Sequence, residues 1–306
     1  MSRLDDIGIG QVCADYLGRV HYFPDIEGRV ELEEVAIRSG GPTATALLVN
    51  ARFGMNVALI GKVGDDYLGM MVTRDLQKEG IDTSLIIKEK GKNTQVSFIP
   101  IEKESGRRTV FWSRGTITPL KSKDIKKKLI TQSRAIHFDE LFVEVIVEAA
   151  QIAKKSGIVV SIDVGNYEEG IEELKGKIDL FIASNDFLRE YSGEENPSKG
   201  IKKLKEFRAK VTTVTLGSKG SLTIYNNELI EIPAYPVRAV DTTGAGDVFH
   251  GAFLFGWLKG WKIRQILRFA SAAAAINCLS LGAHSGVPRS SKQVFDFMER
   301  VETGKS

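Results

Sequence analysis

Short runs of aliphatic and β-branched residues alternate along the chain with longer segments whose apolar positions recur every three or four residues. The run Val57–Ile60 is followed by Leu68, Met71 and Leu76, a spacing that predicts a helix, and Gly80 stands where the C-terminal cap is expected. Further strands are predicted at residues 135–138, 158–163, 179–183 and 211–216. This alternation predicts an α/β fold with a doubly wound, mostly parallel sheet and helices on both of its faces.

Other segments predict antiparallel strands. Ser221–Tyr225 and Glu228–Ile232 flank residues 226–227, an Asn pair that favours a hairpin with a type I′ turn. Segments 16–38 and 94–114 are expected to form exposed antiparallel strands of a small sheet. That sheet is either a plain surface excursion or a lid over the active edge of the main sheet, and we call these two segments the lid.

The chain length is compatible with one or two domains, because 306 residues is about twice a common domain size. The sequence contains no internal repeat, no low-complexity tract and no linker rich in Pro, Gly and Ser. We therefore predict one domain over residues 1–306.

Composition excludes several classes of protein. The 42 Lys and Arg against 39 Asp and Glu give a net charge of +3, which gives no basis for binding to nucleic acid or to a membrane surface. The most apolar stretches, 248–258 and 269–281, are interrupted and shorter than the ~20 residues of a membrane span. The N-terminus lacks the apolar core of a signal peptide, so we expect a soluble, cytoplasmic protein.

The cysteines and histidines argue against a disulfide-rich protein and against a zinc enzyme. Cys13 and Cys278 are too few for a disulfide framework and have apolar neighbours, as expected for small core residues. The four histidines form no metal-ligand motif, which disfavours a zinc enzyme.

Polar residues follow several predicted strands, and ligands of doubly wound sheets bind beyond the carboxyl ends of the strands. The residues in this position are Asp139, Asp163, Asn185 and Gly217. Each of them either contacts a ligand or caps the helix that follows.

The strongest motif is the DTTGAGD stretch at residues 241–247. Small residues there leave the backbone N–H groups of residues 244–247 unobstructed at the start of a helix, which makes an anion site. Asp247 falls in the first helical turn, where it is suited to take a proton from a hydroxyl. The alternative is an ordinary acid that favours a helix N-terminus.

Three other glycine motifs are less specific. Gly40 and Gly41 open a helix that is expected to end at Phe53–Gly54, and they allow either close approach of a ligand or merely a tight turn. Residues 217–221 (GSKGS) lack the spacing of a Walker phosphate loop. Gly8-Ile9-Gly10 lacks the third glycine of a dinucleotide fingerprint.

Taken together, three segments resemble the PfkB (ribokinase-like) carbohydrate kinases. They are DTTGAGDVFHGAF (241–253), GGPTATALLVNARFGMNVALIGKVGDDYLG (40–69) and VTLGSKGS (214–221), and the resemblance runs from Gly8 to about Pro288. The C-terminal part, with RFAS at 268–271, is most similar to the ketohexokinase and sulfofructose-kinase branch. The resemblance implies a ribokinase-like fold with a β-sheet lid.

The resemblance also implies roles for matching residues. Asp247 matches the catalytic base, and the anion hole matches Gly244, Ala245 and Gly246. Substrate hydroxyls would be held at Asp15, Gly40, Gly41 and Thr45. The ATP site, with its Mg²⁺, would include Asn185, Thr215, Gly217, Gly220 and Asn277 beside Gly244 and Gly246. Potassium-dependent members bind the monovalent cation, largely through carbonyls, at positions that match Asp241, Thr243, Gly282 and Gly286.

Two positions depart from the family pattern. Thr45 stands where Asn is usual, and Leu188 stands where the family has a Glu near magnesium. The nearest acid is Glu190, and we expect Mg²⁺ to be held either by Glu190 through water or by other groups.

The leading hypothesis is an ATP-dependent kinase of a primary sugar hydroxyl. The alternatives are a nucleoside kinase, a non-catalytic nucleotide-binding module and, more remotely, a dinucleotide oxidoreductase.

The lid segments contain five arginines: Arg29, Arg38, Arg107, Arg108 and Arg114. They either clamp an anionic substrate or are ordinary surface charge. We favour a neutral sugar, because Leu141 stands where a second cation would be needed. Free sheet edges on the lid allow a homodimer.

Overall fold

The strands and helices of the computed structural model, which describes residues 3–304, follow the apolar pattern of the sequence. The strands are β1 (Leu4–Ile9), β2 (Cys13–Val20), β3 (Glu34–Gly40), β4 (Val57–Ile60), β5 (Lys62–Gly64), β6 (Ile81–Asp82), β7 (Ile87–Glu89), β8 (Gln95–Glu102), β9 (Phe111–Ser113), β10 (Ser133–Asp139), β11 (Val159–Val164), β12 (Leu180–Ser184), β13 (Val211–Thr215), β14 (Ser221–Tyr225) and β15 (Glu228–Ile232). The helices are α1 (Pro42–Arg52), α2 (Tyr67–Lys78), α3 (Lys127–Thr131), α4 (Val143–Lys155), α5 (Asn185–Ser192), α6 (Pro197–Gly200), α7 (Ala245–Leu258), α8 (Ile263–Asn277) and α9 (Ser291–Thr303).

The main sheet has the order β15-β14-β13-β12-β11-β10-β1-β4-β6. All neighbouring strands from β13 to β6 are parallel, and the pairs β13–β14 and β14–β15 at one edge are antiparallel. The chain moves from β1 outward to β4 and β6, and then returns to the other side of β1 to add β10 and its neighbours. The order of the strands therefore reverses between β1 and β10, where α/β folds place their ligands.

Alternating side chains of each strand enter two separate cores. Leu180 and Ile182 belong to a cluster that includes α1, α7 and α8, whereas Phe181 and Ala183 belong to a second cluster with α4 and α5. Burial on both faces explains why the parallel strands are nearly continuous apolar runs. The predicted doubly wound α/β fold is confirmed.

The predicted elements lie within about two residues of their observed ends. The hairpin turn is confirmed, because Asn226 and Asn227 have φ values of 49° and 63°, as a type I′ turn requires. The helix after β4 ends before Gly80, whose φ is 87°. Gly8, in contrast, lies inside β1, and a Cβ there would collide with Thr43 and Leu47, so this glycine serves close packing.

The two lid segments form a separate four-stranded sheet of order β3-β2-β8-β9, which we call the small sheet. The prediction of antiparallel strands is correct for β2–β3 and β8–β9 but wrong for β2–β8, which pair in parallel. Residues 21–33 of the first lid segment, which include the apolar Val30 and Leu32, form a loop before β3 and not a strand.

The prediction of one domain over residues 1–306 stays a prediction, and its first two and last two positions lie outside the described residues. Cys13 and Cys278 are free and buried, as expected. Within residues 3–304, no helix combines the length and the apolar character that crossing a membrane requires.

Candidate active site

The point where the strand order reverses is bridged by a hydrogen bond. The backbone N–H of Gln11, just after β1, donates to Oδ2 of Asp139, the last residue of β10, at 2.7 Å. The Thr43 hydroxyl at the start of α1 donates to the same oxygen at 3.0 Å. Burial raises the pKa of the Asp139 carboxyl to about 6, although these donors oppose the rise. Asp139 therefore joins three segments at the bottom of the cleft.

Two more carboxyl groups lie beside Asp139. Burial raises the pKa of Glu140 to about 7, and the neighbouring Asp139 charge adds to the rise. Burial raises the pKa of Asp163, at the end of β11, well above its usual value, with Asp247 and Glu140 contributing. Glu140 was not among the site residues expected from the sequence, although its position directly after a strand-end Asp could have indicated it.

The DTTGAGD stretch adopts the expected geometry. Gly244 has a φ of 78° and caps α7, and a Cβ there would collide with Ala283. Gly246 is exposed in the first turn, and nothing lies within 4 Å of its ideal Cβ position. The N–H of Ala245 donates to the Thr242 carbonyl at 3.3 Å, so not every amide of residues 244–247 is unobstructed. The helix start is open beside Gly246, as an anion site requires.

Asp247 lies in the first turn of α7, next to that opening. Burial raises the pKa of its carboxyl to about 6; Arg108 lowers the pKa, whereas Asp15 and Asp139 raise it. At neutral pH the group is mainly ionised, yet its pKa is close enough to the operating pH for proton transfer. The arrangement can therefore accept a proton from a hydroxyl placed before the anion site.

Asp15 and the glycine pair are brought together across the small sheet. Asp15 lies in β2, and Gly40 ends the neighbouring strand β3. A Cβ at Gly40 would collide with the Asp15 carboxylate, and a Cβ at Gly41, whose φ is 113°, would collide with the Gln11 carbonyl. Burial raises the pKa of Asp15 to about 6. The two glycines thus let the backbone pack closely against the Asp15 carboxylate and the Gln11 carbonyl.

Thr45 does not present a free hydroxyl. It is fully buried on α1, its hydroxyl donates to the Gly41 carbonyl at 3.0 Å, and Nε2 of His284 lies 3.1 Å from the same oxygen. A direct contact of Thr45 with substrate stays a prediction, and the structure shows an internal role for it.

A cavity of about 650 Å³ adjoins the start of α7. Its lining includes Arg108, Thr215, Gly217, Gly220, Gly246 and Phe249. The GSKGS stretch forms a short turn in this wall, with φ values of 57° at Gly217 and 98° at Gly220. The size and the mixed apolar and polar lining are typical of a small-molecule site.

Asn185 begins α5, and its buried Oδ1 has no hydrogen-bond partner. Glu190 is exposed and lies five residues further along the helix, roughly 140° around its axis from Asn185. Leu188 is buried in the core. Asn185 therefore offers a free oxygen for a magnesium-bound water or a phosphate, whereas Glu190 points to a different side.

The loops expected to bind a monovalent cation are tied together. Asp241 accepts hydrogen bonds from the N–H of Thr243 at 2.8 Å and from the N–H of Gly282 at 2.7 Å. Asn277 donates from Nδ2 to the Thr243 carbonyl at 2.8 Å, and a Cβ at Gly286 would collide with the Asn277 carbonyl. Asn277 thus supports this loop from behind. Among residues 3–304, no group of three His, Cys, Asp or Glu side chains could hold a metal ion.

Comparison with known proteins agrees with this geometry. The profile of the pfkB family carbohydrate kinases matches residues 8–290. The chain is 29% identical to the ribokinase of Haemophilus influenzae over 306 residues, covering 96% of this chain and 98% of the relative. It is 26% identical to a nucleoside kinase of Methanothermobacter thermautotrophicus over 298 residues, covering 96% and 95%. The crystal structure of the ribokinase from Thermotoga maritima superposes with a TM-score of 0.83 at 26% identity, covering 97% and 99%.

Proposed function

Because the chain belongs to the pfkB family of carbohydrate kinases, we propose that it transfers the γ-phosphoryl group of ATP to a primary hydroxyl of a sugar. The observation that carries the proposal is the position of Asp247, a partly buried carboxyl group whose pKa is about 6, beside the open start of α7. An acid in the first turn stabilises a helix, but beside an anion site it also repels the anion, so its placement there favours a catalytic role.

The proposed chemistry assigns each group a step. Asp247 accepts the proton of the attacking hydroxyl, and the amides beside Gly246 receive the charge that develops on the transferred phosphoryl group. ATP would occupy the cavity lined by Thr215, Gly217 and Gly220. Magnesium, when bound, would neutralise phosphate charge, and the unpartnered Oδ1 of Asn185 fits a water of its coordination shell.

Arg108 joins the small sheet to the phosphoryl site. Its Nη1 donates to the Thr242 hydroxyl at 3.0 Å, and the neighbouring Gly106 carbonyl accepts from the N–H of Thr242 at 3.3 Å. The guanidinium lines the same cavity as Gly246 and lowers the pKa of Asp247. We therefore assign Arg108 to the transferred phosphate and not to an anionic substrate.

A neutral, hydroxyl-rich substrate is supported by the charge of the cleft. Asp15 and Asp139 lie near enough to Asp247 to raise its pKa, and carboxyl groups accept hydrogen bonds from hydroxyls but repel an anion. Membership of the ketohexokinase and sulfofructose-kinase branch and a requirement for potassium stay predictions from the sequence. A cytoplasmic location likewise stays a prediction from the sequence.

The second candidate is a nucleoside kinase, favoured by the 26% identity to a protein of that name over 298 residues. The deciding experiment measures ADP release from Mg-ATP with D-ribose, D-fructose, D-gluconate, fructose 6-phosphate, adenosine and cytidine, with and without potassium. A neutral sugar as the strongest substrate supports the proposal. A nucleoside as the strongest substrate supports the second candidate. If no compound leads to ADP release, both candidates are contradicted.

We also propose that a second copy of the chain covers the outer face of the small sheet. Ile37, Tyr16, Phe98 and Phe111 stand opposite one another across its four strands, forming one apolar row. Phe98 and Phe111 are 51% and 61% exposed, and the Tyr16 ring stacks on Phe98 at 5.0 Å. A continuous apolar row with two unpaired sheet edges is suited to self-association through a two-fold interface.

A further inference from the structure

A buried histidine connects the small sheet to the helix that follows the glycine pair. His284 lies in the loop after α8 and is 7% exposed. Its Nδ1 lies 2.9 Å from the Ser39 hydroxyl in β3, and its Nε2 lies 3.1 Å from the Thr45 hydroxyl in α1. Both ring nitrogens are therefore engaged, although the three residues are far apart in sequence.

The direction of each hydrogen bond can be deduced. The single proton of the Thr45 hydroxyl goes to the Gly41 carbonyl at 3.0 Å, so the His284 contact must be donated by Nε2–H. Burial lowers the pKa of His284 to about 4, so the ring is neutral and its Nδ1 can only accept, here from the Ser39 hydroxyl. An ordered chain thus runs from Ser39 through His284 and Thr45 to the Gly41 carbonyl.

The backbone of His284 is fixed as firmly as its ring. Arg52, the last residue of α1, donates from Nη1 to the carbonyl of His284 at 3.1 Å and to that of Val287 at 2.6 Å. Its other nitrogens donate to the Glu79 carboxylate at 2.9 and 2.7 Å. The loop therefore cannot shift without breaking its hydrogen bonds to Arg52, whose guanidinium is itself held by Glu79.

We infer that His284 is a positioning residue that fixes the backbone of the Gly40–Gly41 pair for substrate binding. The inference rests on the proposed function. The chain of hydrogen bonds begins at the residue before Gly40 and ends on the carbonyl of Gly41, so it holds the pair from both sides. It also gives Thr45 a role: the hydroxyl transmits the position of His284 instead of contacting substrate.

The test compares Thr45→Val and His284→Leu, which break the chain, with Thr45→Ser and His284→Gln, which keep a donor or acceptor in place. Thr213→Val is the matched control, because it removes a buried hydroxyl from a 3.0 Å pair with Thr223 that lies away from the glycines. Amide hydrogen exchange is measured for a peptide covering residues 39–46, and KM and kcat are measured with D-ribose, D-fructose and adenosine.

The inference requires Thr45→Val and His284→Leu to accelerate exchange in this peptide and to raise KM at least tenfold, with kcat changed less than threefold and ATP affinity unchanged. Thr45→Ser should restore most of the KM. Unchanged exchange, or faster exchange with an unchanged KM, overturns it. A wild-type protein that releases no ADP with any of the six compounds of the panel overturns the proposed function itself, and this is seen before any variant is compared.

Discussion

Nε2 of His250 lies 3.1 Å from Oδ1 of Asp163. His250 itself lies one helical turn beyond Asp247 on the same face of α7. Burial lowers the pKa of His250 well below its usual value, so the ring is neutral beside this carboxyl group. This pair holds one of the acids of the cleft in place beneath Asp247. The cleft therefore combines a base with several buried acids whose charge is costly in the folded protein.

Replacing Asp247 by Asn should abolish the base and leave the shape of the site intact. We expect kcat to fall at least about 1000-fold, the range of a positioned general base, while ATP affinity changes less than threefold. ADP release and calorimetric titration with ATP measure the two quantities. Asp296→Asn, in an exposed pair with Lys292 on α9, is the matched control and should keep normal turnover. Near-normal activity of the Asp247 variant would refute the assignment.

The activity should depend on pH through Asp247. A base must be ionised to accept a proton, so kcat/KM should fall as the pH drops below about 6, the pKa of this carboxyl. Arg108 lowers that pKa, so Arg108→Gln should move the acid limb to higher pH and also reduce kcat about 100-fold through loss of a charge on the transferred phosphate. Arg107→Gln, at the neighbouring exposed position, serves as the control. A pH profile that is flat between 5 and 7 contradicts the role of Asp247.

The buried carboxyl group of Glu140 should lower the free energy of unfolding at neutral pH. Its pKa is about 7 in the folded protein, whereas an unfolded chain ionises it near 4.5, so the stability present at low pH is lost as the pH rises through 7. Glu140→Gln can still accept from the N–H of Asn166, the 3.0 Å bond that Glu140 makes. We expect it to stabilise the protein by on the order of 2 kcal/mol at pH 7.5 and by nothing at pH 4. Urea unfolding at both pH values measures this difference, and a destabilised variant at pH 7.5 would contradict it.

Phe98→Asp should dissociate the proposed dimer. A carboxylate at the centre of the apolar row would be buried without a partner, and we expect the dimer Kd to rise at least about 100-fold. Light scattering across a concentration series gives the Kd. Leu229→Asp is the control, because Leu229 is 44% exposed on the edge hairpin of the main sheet and lies outside the small sheet. A wild-type monomer at high concentration would show that the face is not an interface.

Local features of the site could be read from the sequence. The start of α7 and the position of Asp247 in its first turn depend on neighbouring residues, because Gly244 alone can adopt the left-handed cap. The same holds for the 226–227 turn and for the strands of the main sheet, whose apolar runs are nearly continuous. In these cases the determining interactions span only a few residues.

Contacts between distant segments could not be read in this way. The parallel pairing of β2 with β8, the bond from Arg108 to Thr242 and the contact between His284 and Thr45 join residues that are 82 or more positions apart. The sequence by itself determined the α/β fold and predicted the phosphoryl site with Asp247 as its base, because each is encoded in short motifs. Only the tertiary structure decided which groups surround that base and how strongly burial shifts their pKa values, since desolvation and charge coupling depend on distance in space and not along the chain.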